Sequence, residues 1–233
     1  MIIALVYHKR SLRVVEEECE YDSDVVAYDI RSALPKHDVR LVRLHRPDSF
    51  EYLISRIREE KADLVFGLTA GTLGTSRNRE ALYAACYEML NLPYVGSDAR
   101  TLAITQDKTL TCDVLHARGI LTPRGVFSEK FAGVVSRLPR SVSKYVVKPN
   151  FEGSSAGVFC VRASDLNRRL PGLFRRKAFR FGARIEEFIP GFDVTVPWTE
   201  ATGALHPVVP SRLRTRSPLS FYTYRDKAFD IDK

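Results

Sequence analysis

The sequence predicts an α/β protein: an N-terminal parallel sheet flanked by helices, followed by an α+β region of shorter strands. Three observations lead there. Over the first hundred residues, apolar runs of strand length alternate with segments of helical periodicity, the order that builds a parallel sheet with helices on its faces. Farther on, two strand-like runs surround a Gly/Ser loop, which reads as a hairpin more than a βαβ unit. The composition, 233 residues with 45% hydrophobic and 27% charged, suits a globular chain able to bury a core without disulfide or metal staples.

Taken in order, residues 2–7 form a continuous apolar run, as in a strand buried on both faces. Residues 24–34 carry Val25, Val26, Ile30, Ala33 and Leu34 at helical spacing and are stopped by Pro35. Residues 39–44 read as a strand. Ser49 is placed to cap a helix with Phe50, Leu53, Ile54 and Ile57 on one side. Residues 62–68 are another buried strand. Asn78 starts a helix whose apolar face is Ala81, Leu82, Ala85, Cys86, Met89 and Leu90, and residues 92–95 are a short strand.

A second unit begins near Ala99. Residues 107–118 predict a helix closed by Gly119, a good C′ residue. Strands are expected at 123–127, 145–148 and 158–161, a short helix at 131–138, and the small-residue loop at 150–157. A third unit starts near Arg184, with strands at 185–189 and 193–198 around a Pro190–Gly191 turn. There is no internal repeat.

The net charge of +8 leaves nucleic acid, an anionic surface or a phosphorylated ligand open. Arg162, Arg168, Arg169, Arg175, Arg176, Lys177 and Arg180 crowd one segment with only Asp165 against them. A solvated helix face is the simpler reading, and no nucleic-acid-binding signature accompanies it. Cys19, Cys86, Cys112 and Cys160 are far apart with no CxxC spacing, and His8, His37, His45, His116 and His206 form no metal-ligand pattern. The N-terminus, MIIALVYHKR, turns charged too early for a signal-peptide core, and no apolar run reaches about 18 residues. A cytoplasmic protein is expected.

The strongest chemical candidate is Val147-Lys148-Pro149-Asn150-Phe151-Glu152-Gly153-Ser154-Ser155-Ala156-Gly157. A lysine ends a strand, and the loop after it has little side-chain bulk, so its N–H groups and hydroxyls can approach an anion. A lysine with such a loop suits a nucleotide triphosphate, although neither GxxxxGK[ST] nor GxGxxG occurs. A plain β-hairpin with a Gly/Ser turn explains the same residues equally well. In Arg184-Ile185-Glu186-Glu187-Phe188-Ile189-Pro190-Gly191-Phe192-Asp193, apolar residues beside carboxylates can line a purine cleft, with Asp193 accepting from ribose hydroxyls; an edge strand with exposed glutamates is the commoner case. Asp107 suits a helix N-terminus, whereas Lys108 beside it is electrostatically misplaced, which a ligand phosphate would explain and an ordinary surface lysine would also satisfy. Phe221-Tyr222-Thr223-Tyr224-Arg225-Asp226-Lys227 says little alone.

The order is more telling than any one motif. Asn78-Arg79-Glu80-Ala81, Leu92-Pro93-Tyr94-Val95-Gly96-Ser97-Asp98, Asp107-Lys108, Val147-Lys148-Pro149, Glu152-Gly153-Ser154-Ser155 and Glu186-Glu187-Phe188-Ile189-Pro190-Gly191 follow one another as in ATP-grasp ligases. The sequence resembles a divergent branch of the D-alanine–D-alanine ligase family from Ile2 to Lys227.

The resemblance implies an ATP-grasp architecture. Residues 1–98 would form a Rossmann-like domain, 99–183 a central subdomain with the Gly/Ser loop, and 184–233 the start of a C-terminal subdomain. It implies an ATP-dependent carboxylate–amine ligase in which ATP phosphorylates a carboxylate and an amine attacks the acyl-phosphate. Lys108 and Lys148 would contact phosphates. Glu152, Gly153, Ser155 and Gly157 would belong to the loop covering them, with Ser154 facing the substrate side. Glu186, Phe188 and Ile189 would line the adenine pocket, with Glu187 at its hinge and Asp193 at the ribose. Lys227, in a Tyr-x-Tyr-x-x-Lys pattern, would reach the terminal phosphates. Small amino acids or related carboxylates and amines are the expected partners, with a homodimer allowed and neither a membrane nor specific nucleic acid.

The sequence departs from the family pattern in several places. Residues 67–79 replace the usual His-Gly and Gly-Glu-Asp-Gly segment. Glu20, with Glu16–Glu18 as competitors, is the candidate for orienting the substrate amine. Ala228 follows Lys227 where the family often carries an aromatic residue. The family's magnesium ligands, an Asp and a Glu-x-Asn, are expected beyond residue 233, so the chain is expected to be a fragment, a split gene product or a degenerate binder. A non-catalytic nucleotide-binding module and a basic nucleic-acid-binding protein are the alternatives.

Overall fold

The computed structural model describes residues 1–9, 24–44, 50–69, 76–201 and 204–213. The first part alternates β1 (Ile2–His8), α1 (Asp24–Ala33), β2 (Asp38–Leu44), α2 (Phe50–Glu59), β3 (Leu64–Leu68), α3 (Arg79–Met89) and β4 (Tyr94–Val95). The strands pair in parallel in the order β2-β1-β3-β4. As the apolar run predicts, β1 is central and buried on both faces, its alternate residues feeding two cores. Ala4 and Val6 pack with Leu53 and Ile57 of α2 and with Tyr83 and Tyr87 of α3. Ile3, Leu5 and Tyr7 pack with Ala27 of α1. Each large apolar side chain so buried contributes about 1.5–3 kcal/mol.

The face of α3 differs from the periodicity. Leu82 and Met89 are 42% and 85% exposed, while Arg79, Ala81, Tyr83, Ala84 and Tyr87 are buried. Two tyrosines and an arginine thus supply the inward stripe that aliphatic residues were expected to form. Asn78 precedes α3 but makes no side-chain cap.

Two helices lead onward. The first, α4 (Ala99–Gln106), was not anticipated; Asp98 caps it by accepting from the Thr101 amide. The second, α5 (Lys108–Ala117), is capped by Asp107, which accepts from the Thr109 and Leu110 amides. It ends as the sequence predicts, in a Schellman arrangement: Gly119 N–H donates to His116 O, Ile120 N–H donates to Leu115 O, and Gly119 has φ 73°.

The second sheet contains β5 (Gly125–Ser128), β6 (Lys144–Pro149), β7 (Phe159–Arg162) and β8 (Ala183–Glu187), antiparallel in the order β5-β8-β6-β7. The expected hairpin around the Gly/Ser loop is the β6–β7 pair. The sequence boundary at 183/184 meets β8, which pairs with both β5 and β6. Between β7 and β8, α6 (Leu166–Phe174) sets Leu166, Leu170 and Leu173 against Val147, Val161, Phe179 and Ile185. The helix expected over 131–138 is only a 3-10 turn at Val135–Arg137, with Phe131 45% exposed.

Last come β9 (Val194–Thr195), β10 (Trp198–Ala201), β11 (Ala204–Pro207) and β12 (Ser211–Arg212), as the antiparallel pairs β10–β11 and β12–β9. The single strand expected over 193–198 is broken ahead of Trp198, where Pro197 lacks the amide a ladder needs. Among the described residues, no helix is long and apolar enough to cross a membrane.

Candidate functional site

The site is built around the loop that leaves β6. The register Lys148↔Arg184 between β6 and β8 brings Lys148 beside Glu186. Lys148 Nζ lies 2.5 Å from Glu186 Oε1, and Arg184 Nε lies 2.7 Å from Glu186 Oε2. The Glu186 and Arg184 side chains are only 6% and 5% exposed. A buried carboxylate needs such partners, because an uncompensated charge there is costly. Arg184 also donates to Pro123 O.

The stem of the loop, Asn150-Phe151-Glu152, is buried and held from outside. The Asn150 side chain accepts from the amide and hydroxyl of Thr109 and donates to Asp107 Oδ1. Asn150 N–H donates to Gly182 O. Lys108 donates from its amide to Asn150 O at 3.1 Å and from Nζ to Asn150 O at 3.4 Å and to Glu152 O. The misplaced charge at the start of α5 therefore meets main-chain carbonyls. Arg79, at the start of α3, donates to Phe151 O at 2.7 Å and to Glu152 Oε2 at 3.1 Å.

The crown, Gly153-Ser154-Ser155, is half-buried. It forms a tight turn closed by Ala156 N–H to Gly153 O at 2.9 Å. Ser154 and Ser155 have φ of 47° and 59°, two successive left-handed residues as in a type I′ turn, where Gly or Asn is the usual choice. Backbone of this kind costs on the order of 1 kcal/mol or more per residue and tends to occur at functional sites. The loop then folds back on its own start. At Gly157 (φ +66°), an added Cβ would sit 2.8 Å from Pro149 Cγ, a separation no side chain tolerates.

Glu187, at the end of β8, accepts from the Arg124 amide and from Nε and Nη2 of the same residue at 2.6–3.0 Å. The Arg124 side chain, then its amide, hold the carboxyl below the usual glutamate range. Phe188 lies beside Lys144, whose Nζ is 5.8 Å from the ring centre, and Ile189 is 58% exposed. Asp193 is exposed, and its carbonyl accepts from Leu213.

The structure thus gathers Lys108, Glu152 and the loop into one network and joins Lys148 to Glu186. Glu152 faces Arg79 inside the stem, not the crown. Glu20 and Lys227 lie outside the described residues. Arg79, Asn150 and Arg184 stand inside the quoted motifs, but sequence reasoning gives none of them a role of its own. A signal for Arg79 was present: it begins a helix, where a cation opposes the dipole, the same oddity noticed at Lys108.

The basic segment is largely accounted for by its own neighbours. Arg168 pairs with Asp165 at 2.9 Å, Arg176 lies 4.9 Å from the Phe159 ring centre, and Arg180 lies 4.6 Å from that of Phe181. All seven basic residues are exposed, but only Arg168 and Arg169 lie on α6, so the segment is a solvated surface and not one helix face.

No family model matches the chain. Over 152 residues it is 36% identical to the D-alanine–D-alanine ligase of Coprothermobacter proteolyticus, covering 61% of this chain and 46% of that protein. Over 145 residues it is 34% identical to that of Gluconobacter oxydans, covering 61% and 44%. The chain thus spans about half the length of the curated relatives it matches. A Bacillus anthracis D-alanine–D-alanine ligase structure complexed with ATP superposes with TM-score 0.63 at 22% identity, covering 84% of this chain and 62% of that one. The D-alanyl-alanine synthetase A structure from Vibrio cholerae superposes with TM-score 0.70 at 16% identity, covering 95% and 72%. The fold is the ATP-grasp fold of these ligases.

Proposed function

We propose that this D-alanine–D-alanine ligase-like ATP-grasp chain is part of an ATP-dependent carboxylate–amine ligase, with small amino acids or related compounds as substrates. The observation that carries the reading is the strand-end Lys148 beside a strained, half-buried Gly/Ser crown, on a fold shared with ligases of that name. When bound, ATP would supply the phosphoryl group that activates the carboxylate.

The chain's own residues would hold and orient. Lys148, with Lys108 at the stem, would face the phosphates, and the amides of Gly153, Ser154 and Ser155 would cover them, donating to developing negative charge. The Ser154 hydroxyl would meet the substrate side. Glu186, Phe188 and Ile189 would border the base, Glu187 would brace the hinge through Arg124, and Asp193 would serve the ribose. The same reading assigns Glu20 to the substrate amine and Lys227 to the terminal phosphates. It divides the chain near residues 98 and 183.

For ATP the donor set fits, because two lysines and a loop rich in N–H groups gather at one strand end. For magnesium, no three His, Cys, Asp or Glu side chains gather as a metal cluster among the described residues. The test is ADP release from the chain with D-alanine and other amino acids, beside a calorimetric titration with ATP. Saturable ATP binding with amino-acid-dependent ADP release supports the reading; absence of ATP binding ends it.

A further inference from the structure

We propose that Arg79 is a positioning residue for the Gly/Ser loop: it fixes the stem so that the crown presents its amides to phosphate. The inference rests on the nucleotide reading above.

Arg79 begins α3 in the first sheet domain, yet its partners lie 72 and 73 residues away in the loop of the second. Its side chain is 6% exposed and that of Glu152 is 5% exposed. A cation at a helix N-terminus is unfavourable by about 0.3–1 kcal/mol, and burying it adds desolvation. A buried ion pair is weak as a source of stability, so fold stability alone is a poor reason for placing Arg79 there. The geometry supplies a better one. The guanidinium is a planar fork, and here one arm takes the Phe151 carbonyl while the other takes the Glu152 carboxylate. Lys108 takes the carbonyls of Asn150 and Glu152. Three successive carbonyls of the stem are thus claimed by cations that begin two different helices. The crown that follows holds two serines in the left-handed region. Such backbone persists only when its surroundings over-determine it, and the doubly gripped stem does so.

Arg79→Met alone would leave the buried Glu152 without its guanidinium, so the test uses Arg79→Lys and the double variant Arg79→Met/Glu152→Gln in the full chain. The measurements are melting temperature, amide hydrogen exchange across residues 150–158, and calorimetric affinity for ATP with magnesium. In the folded double variant, loop amides are expected to exchange at least about tenfold faster while the two sheets stay protected. ATP affinity is expected to fall by about tenfold or more, the scale of a charge-assisted hydrogen bond. The lysine variant, which keeps the charge but not the planar fork, should recover part of both. Loop exchange as slow as wild type overturns the proposal, and so does a loosened loop with wild-type ATP affinity. Loss of protection throughout both sheets marks the pair as purely structural and also overturns it. If wild type binds no ATP but the loop still loosens, the nucleotide reading fails while the hold of Arg79 on the loop stands.

Discussion

Arg79 and Lys108 each occupy the first position of a helix, and their side chains converge on neighbouring carbonyls, those of Phe151 and Glu152. Helices α3 and α5 thereby grip one loop from two directions. What the loop presents is set by residues far away in sequence.

Lys148→Ala should weaken ATP binding by about tenfold or more, because charge-assisted contacts to an anion are worth about 1.5–3 kcal/mol. Arg175→Ala, in the basic segment, should leave affinity within about twofold. Calorimetric titration of both variants checks this. Equal and small effects would remove Lys148 from the site.

His8, at the end of β1, is 1% exposed, and burial pushes its pKa down to about 4. Its Nε2 lies 3.0 Å from the Tyr83 hydroxyl. With the folded pKa below the unfolded value near 6.5, the neutral ring carries no penalty above pH 6.5. Below it the unfolded chain takes up a proton that the folded one refuses, so stability falls progressively toward pH 4. The loss is about 3 kcal/mol at 1.36 kcal/mol per unit. Urea unfolding of wild type and His8→Gln at pH 7 and pH 4.5 should show the variant losing less on acidification. Identical losses would mean that His8 is not the group responsible.

Ser154→Gly should raise stability. Glycine relieves a left-handed backbone at φ 47°, which outweighs the larger entropy it loses on folding. The net gain is about 1 kcal/mol, or about 2–4 °C in melting temperature for a chain of this size. Ser154→Ala keeps the strain and should show no such rise. A lower melting temperature for the glycine variant would contradict the strained turn.

The basic segment should bind DNA or RNA only weakly, with affinity falling steeply as salt rises, as for purely electrostatic contact. Titration of a labelled oligonucleotide at two salt concentrations checks this. A tight, sequence-dependent complex at physiological salt would restore the nucleic-acid alternative.

How much of this was legible in the sequence depends on the range of the interaction. The run from Ile2 to Tyr7 announces a strand buried on both faces because each residue reports its own burial. Asp107 and Gly119 mark the ends of α5 because capping bonds span only a few residues. Asp98 carries the same signal for α4. The periodicity of α3 misled because Tyr83 and Tyr87, not Leu82 and Met89, fill the space beneath the sheet. At 131–138 the apolar spacing promised a helix, but only a 3-10 turn forms. Among the candidate site residues, the strand-end Lys148 and the Gly/Ser loop stood out through local composition. The grip of Arg79 on Glu152 spans 73 residues, and nothing local encodes a partner at that distance.

Glu186 stands between two cations, Lys148 at 2.5 Å and Arg184 at 2.7 Å, and that duplication bears on how a lysine can change allegiance. A buried carboxylate with one partner holds that partner tightly, since its departure costs about 3–5 kcal/mol. With Arg184 in place, Glu186 stays compensated when Lys148 turns toward an incoming anion. On the nucleotide reading, the second cation would make the first exchangeable: Lys148 would trade a carboxylate for a phosphate without stranding a charge inside the sheet.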